Sequence, residues 1–340
     1  MSTDDKTGAG AGAGRLQVPA RAIPAPPTVS AEARAFLSSP MPLARGPLPD
    51  LADKAAWRAN IAQGDATMTA MLQANVGRFS MDVATHRVGA IDVYEITPAE
   101  TVDSERDYAI FYLHGGAFLY GSGVAAGYMA MSLAHAARLK AYSVDYRMPP
   151  DHPFPTGLDD VIEAYRWLLQ RFAPENIVVA GSSAGAGLAG SFVLKARDIG
   201  LPMPAACLLA TPEADLTESG DTFETNDTID MVLPHRLTVM NALYADGHDL
   251  RDPYLSPVFG DFSKGFPPTI LISGTRDLFL SNTVLMHRAL LRAGVEAELH
   301  VWEAMPHGGF FGAPEDAEAI DQQAQFARKH LRLERRHQAF

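Results

Sequence analysis

Beyond about residue 80, short apolar runs rich in β-branched and aromatic residues alternate with stretches whose apolar positions recur at helical spacing. The runs are Tyr108 to Leu113, Tyr142 to Tyr146, Ile177 to Ala180, Ala205 to Ala210, Thr269 to Ser273 and Leu299 to Trp302. Their hydrophobicity is continuous rather than alternating, which suits strands covered on both faces. Between two of them, Leu158, Val161, Ile162, Tyr165, Leu168 and Leu169 trace one helix face, and Ile320, Ala324, Ala327 and Leu331 do the same near the C-terminus. Strand and helix in alternation predict an α/β fold: a mostly parallel sheet with helices on both faces.

Two stretches depart from this rhythm. Residues 29–79 are helical in pattern and interrupted by prolines. There Met68, Met71, Leu72, Val76 and Phe79 share one face, predicting a helix that follows Asp65 as its N-cap, and a less regular helix carrying Leu51, Trp57 and Ile61 follows Asp50. These helices belong to no repeating unit and predict an accessory layer. The second stretch, Thr211 to Tyr254, is rich in Asp, Glu, Thr and Gly, with a helical piece from Pro234 to Tyr244. It is too long for an ordinary connection, and insertions of that kind often form lids or binding loops.

The charge balance narrows the function. Among 340 residues, 28 basic and 40 acidic side chains leave a net charge of −12, which lacks the electrostatic footprint of a nucleic-acid binder. The single cysteine, Cys207, lies inside an apolar run and reads as a small buried hydrophobe. No run approaches the ~20 apolar residues of a membrane span. The first residues hold Asp4, Asp5, a Gly/Ala alternation and prolines without an apolar core, so residues 1–28 are expected to be a disordered tail rather than a signal peptide, and the location cytoplasmic.

The segment with the most chemical content is Ile177-Val178-Val179-Ala180-Gly181-Ser182-Ser183-Ala184-Gly185, an apolar strand running into G-x-S-x-G and a small-residue helical stretch. Such a strand–turn–helix holds its serine out at the top of a sheet, and only Ser183 has glycines at both required positions. Directly after the run Tyr108 to Leu113 comes His114-Gly115-Gly116-Ala117-Phe118, a turn able to aim bare N–H groups at an oxyanion. Gly115 and Gly116 supply one part of such a hole, and Ala184, following the nucleophile, another. A serine needs a neighbouring imidazole as base and a carboxylate to orient it. Of the later histidines, His287 and His330 lie in helical patterns and His300 in a strand, whereas His307 lies in a loop after the last run. Asp277 likewise follows the run Thr269 to Ser273, while Asp246, Asp249 and Asp252 fall in the acidic insertion. The triad read from sequence is therefore Ser183, Asp277 and His307.

These motifs, with Asp145-Tyr146-Arg147-Met148-Pro149-Pro150-Asp151-His152-Pro153-Phe154-Pro155 and Asp252-Pro253-Tyr254-Leu255-Ser256-Pro257, resemble the hormone-sensitive-lipase family of α/β-hydrolase esterases over roughly residues 80 to 330. The resemblance implies an eight-stranded sheet in a catalytic domain over 80–340, and a cap built from residues 29–79 with part of the 211–250 insertion. It further implies hydrolysis of short- to medium-chain carboxylic esters through an acyl-enzyme, with no cofactor and no metal. The partner implied is a small ester substrate, with a homodimer as a further expectation. Structural roles are implied for Asp145, Arg147, Asp159 and Asp160. The substrate pocket is expected to include Phe118 and, from the cap, Met68, Met71 and Leu72. Ala117, Ser182 and Leu278 depart from the family pattern of a third glycine, an Asp or Thr, and a proline. A negative φ at Ala117 would leave the backbone donors intact. Lactone or carbonate hydrolysis and acyl transfer use the same residues and stay open. A metal hydrolase is disfavoured by the lack of an H-E-x-x-H-like cluster. A ligand receptor on the same fold is disfavoured because all three triad members are present.

Overall fold

A computed structural model describes residues 16, 18–39 and 47–333. The chain opens with helices α1 (Ala31–Leu37) and α2 (Lys54–Val76), then the strands β1 (Met81–Val88) and β2 (Ile91–Pro98). There follow β3 (Ala109–Leu113), α3 (Val124–Ala137), β4 (Lys140–Asp145), α4 (Thr156–Leu168), β5 (Ile177–Ser182), α5 (Ala184–Asp198) and β6 (Ala206–Ala210). The insertion holds α6 (Thr222–Thr225) and α7 (Thr238–Ala245), and β7 (Thr269–Gly274), α8 (Leu280–Arg292), β8 (Ala297–Trp302) and α9 (Pro314–His330) complete the chain.

The eight strands form one sheet in the order β1-β2-β4-β3-β5-β6-β7-β8. Only the β1–β2 and β2–β4 pairings are antiparallel. The six apolar runs of the sequence are the six parallel strands, and β3 shows why their hydrophobicity does not alternate. Ala109, Phe111 and Leu113 point into a core shared with α4 and α5, while Ile110 and Tyr112 point into a second core shared with α3 and α9. The β1–β2 hairpin escaped the apolar-run criterion because β1 is an edge strand, largely exposed and partly polar.

The N-terminal helices differ from expectation. Residues 54–76 form one continuous helix capped by Asp53, whose carboxylate accepts from Ala56 N. Asp65 is therefore not a cap. No proline falls between Asp53 and Val76, and Gly64 alone does not stop the helix. The expected disorder of residues 1–28 concerns a segment of which 1–15 and 17 lie outside the described residues. Residues 18–28 form neither helix nor strand, and Pro24 O accepts from Arg276 Nη2 at 2.8 Å. Cys207 is fully buried, and burial pushes its thiol pKa up.

Candidate active site

The G-x-S-x-G segment makes the sharp turn between β5 and α5. Ser183 has φ +56° and ψ −126°, a conformation of about 1–3 kcal/mol strain held by its surroundings. Its N–H donates to Ala210 O at 2.8 Å, and its carbonyl accepts from Ala186, Gly187 and Glu213. The flanking glycines follow from close approach: a Cβ on Gly181 would stand 2.4 Å from Gly185 O, and one on Gly185 2.1 Å from Leu113 O. Ser182, the register rival, turns its Oγ toward Tyr112 OH at 3.3 Å.

Loops at the C-terminal ends of β7 and β8 bring the other two groups to Ser183. His307 Nε2 lies 2.8 Å from Ser183 Oγ, and His307 Nδ1 lies 3.0 Å from Asp277 Oδ1. Asp277 is fully buried, accepting from Ser273 Oγ at 2.7 Å and from Phe279 N at 2.9 Å. An ionised carboxylate only accepts, so Nδ1 carries the proton and Nε2 is left to accept from the serine hydroxyl. The Phe279 ring meets the imidazole edge-on, with centroids 4.8 Å apart. Sequence reasoning therefore named three groups that the fold brings into one hydrogen-bonded line. The rivals do not reach it: His287 lies on α8, His300 on β8 and His330 on α9, while Asp246 and Asp249 are exposed.

The glycine turn after β3 lies against the elbow, since a Cβ on Gly115 would stand 2.9 Å from Ser182 O and 3.2 Å from Ser183 Cβ. Ala184 opens α5, so its N–H has no intrahelical acceptor. His114 is buried and stacked on Tyr146 at 4.2 Å; Nδ1 donates to Gly115 O at 2.8 Å, and burial pushes its pKa down to about 4, keeping the ring neutral. Ala117 has φ +54°, not the negative value on which tolerance of alanine was argued. The chain reverses here between Gly116 and Tyr120, whose N–H donates to Gly116 O at 2.9 Å, and this forces the left-handed conformation onto Ala117 and Phe118.

The structure places the residues expected in the pocket as follows. Phe118 is buried in the main core and stacked face to face on Tyr244 at 4.1 Å, so it supports the turn from behind. Met71 is 56% exposed; Met68 and Leu72 are half-buried and belong to none of the apolar clusters among the described residues. Polar residues of α2 reach the loop that follows the glycine turn. Asp65 accepts from Gly121 N at 2.7 Å and Ser122 Oγ at 2.6 Å, and Asn60 Oδ1 accepts from Tyr120 OH at 2.7 Å. Asp145, at the end of β4, accepts from Gly123 N at 3.0 Å; burial, above all, pushes its pKa up to about 6. Arg147 pairs with Asp160 at 2.7 Å, and Asp159 with Lys195.

The sequence reading passed over Asn226 and Asp230, both in the insertion. Asn226 Nδ2 donates to Asp277 O at 2.8 Å, and the Asp230 carboxylate accepts from Leu278 N at 2.8 Å and His307 N at 3.1 Å. Leu278, the departure from the family's proline, thereby supplies an N–H that proline would lack.

A family model described as the alpha/beta hydrolase fold matches residues 110–311. The crystal structure of an esterase from the bacterial hormone-sensitive lipase family superposes with a TM-score of 0.75 at 29% identity, covering 89% of this chain and 99% of that one. The chain belongs to the hormone-sensitive-lipase family of α/β-hydrolases. It is a carboxylic ester hydrolase, as the other likenesses agree. Esterase E25 superposes with a TM-score of 0.87 at 36% identity over 93% of this chain and 99% of that one. An acetyl-hydrolase of Streptomyces hygroscopicus is 34% identical over 200 residues, 58% of this chain and 67% of that protein. An esterase of Acinetobacter venetianus is 30% identical over 224 residues, 64% of this chain and 74% of that protein. No helix among the described residues is long and apolar enough to cross a membrane.

Proposed function

We propose that this hydrolase cleaves short- to medium-chain carboxylic esters through an acyl-enzyme on Ser183. The observation that carries the reading is the line Ser183 Oγ, His307, Asp277, with separations of 2.8 and 3.0 Å. Ser183 Oγ attacks the ester carbonyl carbon as its proton passes to His307 Nε2. Asp277 holds the imidazole in the required tautomer and favours the imidazolium while it lasts. The negative charge that develops on the carbonyl oxygen is met by the N–H groups of Gly115, Gly116 and Ala184, preorganised by the strained turn and the start of α5. Collapse expels the alcohol, protonated by His307; water then repeats the sequence with His307 as base and releases the acid.

The N-terminal helices and the insertion act in this reading as the cap. Buried Trp57, near the start of α2, belongs to one apolar cluster with Leu119 beside the glycine turn, Phe223, Leu233, Leu237, Met240 and Leu243 of the insertion, and Leu278 and Phe279 beside Asp277. The test is a series of nitrophenyl esters of increasing acyl length, run on the wild type and on Ser183→Ala. The reading expects hydrolysis of the shorter acyl groups by the wild type and a rate near background for Ser183→Ala; an active, folded Ser183→Ala contradicts it.

A further inference from the structure

The segment from Asn226 to Leu233 threads between the two loops that hold Asp277 and His307, and Asp230 is its centre. The carboxylate is wholly removed from solvent. Its Oδ2 accepts from Leu278 N at 2.8 Å and His307 N at 3.1 Å; its Oδ1 accepts from Val232 N at 2.8 Å and Leu233 N at 3.0 Å. One side chain thus joins the backbone next to the acid, the backbone of the base, and the insertion itself. Asn226 completes the tie from the carbonyl side, donating to Asp277 O at 2.8 Å and Thr275 O at 3.2 Å.

A neutral side chain would join loops without the desolvation of a buried charge. Here the charge also stands beside Asp277, a like charge, which makes it less favourable still. The backbone N–H donors offset part of this cost, and the imidazolium of His307 offsets more of it when it forms. Burial and then Asp277 push the Asp230 pKa up to about 6, while the charged imidazole pulls it back, and by reciprocity the Asp230 carboxylate favours the charged imidazole.

We propose that Asp230 is a positioning residue of this active site. It holds the Asp277 and His307 loops in register, its buried negative charge favours the imidazolium formed when Ser183 gives up its proton, and Asn226 secures the Asp277 loop. The proposal rests on the triad reading above. It makes the insertion part of the catalytic apparatus as well as a cover for it.

The experiment compares kcat, KM and the pH profile of kcat/KM for nitrophenyl butyrate in wild type, Asp230→Asn, Asn226→Ala and Ser183→Ala, with far-UV circular dichroism as the check on folding. Asp277 and Asp230 both face His307, so Asp230→Asn removes a negative charge that interacts favourably with the charged imidazole. In a folded Asp230→Asn, kcat is expected to fall about 10- to 100-fold, by analogy with the loss of an outer partner that orients a metal-ligating side chain. KM changes little, and the acid limb moves to lower pH. Asn226→Ala removes two donors but no charge, so kcat falls while the acid limb stays in place. A folded Asp230→Asn with wild-type kcat and acid limb overturns the proposal. If that variant does not fold, wild-type kcat in Asn226→Ala overturns it, and a lowered kcat at unchanged KM supports it. An active Ser183→Ala overturns the triad reading and this proposal together, whereas an inactive Ser183→Ala beside a wild-type Asp230→Asn overturns this proposal alone.

Discussion

Ser183 and Asp277 are held in opposite ways: the serine by a strained backbone at a strand end, the carboxylate by burial and donors from Ser273 and Phe279. Replacing Asp277 by Asn keeps the shape but turns an acceptor into a donor facing His307 Nδ1, so the imidazole loses its required tautomer. The expected loss is on the order of 10⁴ in kcat, measured by steady-state rates on a protein shown to be folded. Ser182→Ala, one position away, removes only the contact with Tyr112 and is expected to retain much of the activity. Asp230 gives a prediction of pH-dependent stability. Its folded pKa is raised to about 6, so its contribution is fully present below the unfolded carboxylate value near 4 and is lost as pH rises through about 6. Denaturant unfolding across that window is expected to show wild type losing ground relative to Asp230→Asn as pH increases. Asp277 and His307, which the fold brings to Ser183, were legible in the sequence because each sits just past an apolar run in a loop. Asp230 and Asn226 were not. Their partners in the Asp277 and His307 loops are backbone groups 48 to 77 residues away in the chain, and the acidic stretch around them has no periodicity to mark them. The sign of φ at Ala117 was equally hidden, since it is set by the reversal that brings Tyr120 back to Gly116.

Helix α2 does more than lie over the sheet. Trp57, fully buried, packs with the insertion and the loop after β7, and its Nε1 donates to Asp50 O at 3.0 Å. Trp57→Ala is expected to destabilise the protein by about 3–5 kcal/mol, read as a lowered midpoint in denaturant. Asp65, about two turns further along, accepts two hydrogen bonds from the loop that continues the glycine turn. Asp65→Ala leaves Gly121 N without its partner and is expected to lower kcat more than it raises KM, because the N–H groups of the turn matter most when charge has developed. The helical content of this region was legible from its apolar spacing, but the continuity of α2 was not. Asp65 looks like a cap in the sequence because aspartate favours helix starts, whereas here its side chain answers to a loop more than fifty positions later.

The sheet gathers everything at one edge: the elbow after β5, the turn after β3, and the loops after β7 and β8 all stand at the C-terminal ends of parallel strands, where α/β folds place their ligands. The N-terminal region reinforces that edge from two sides. Beside α2, Val29 just before α1 and Ala33 within it share an apolar cluster with Ala304, Met305, Phe310 and Ala313 around the His307 loop, and Ser30 bonds to Glu315. Deleting residues 1–28 stops short of these contacts and is expected to leave ester hydrolysis intact. Deleting residues 1–75 removes both helices, exposes the clusters beside Asp277 and His307, and is expected to lower solubility or change the acyl-length profile. If the longer deletion matches the full chain on every ester, the cap assignment fails.

In the proposed mechanism Ser183 carries the acyl group between the two half-reactions. Rapid quenching of the enzyme in acid during turnover of a nitrophenyl ester, followed by mass spectrometry of its peptides, measures this directly. The expected result is one acyl group on the peptide containing Ser183, assigned by fragmentation to Ser183 rather than Ser182, and no adduct in Ser183→Ala. Acylation at Ser182, or active turnover by a folded Ser183→Ala, would contradict it.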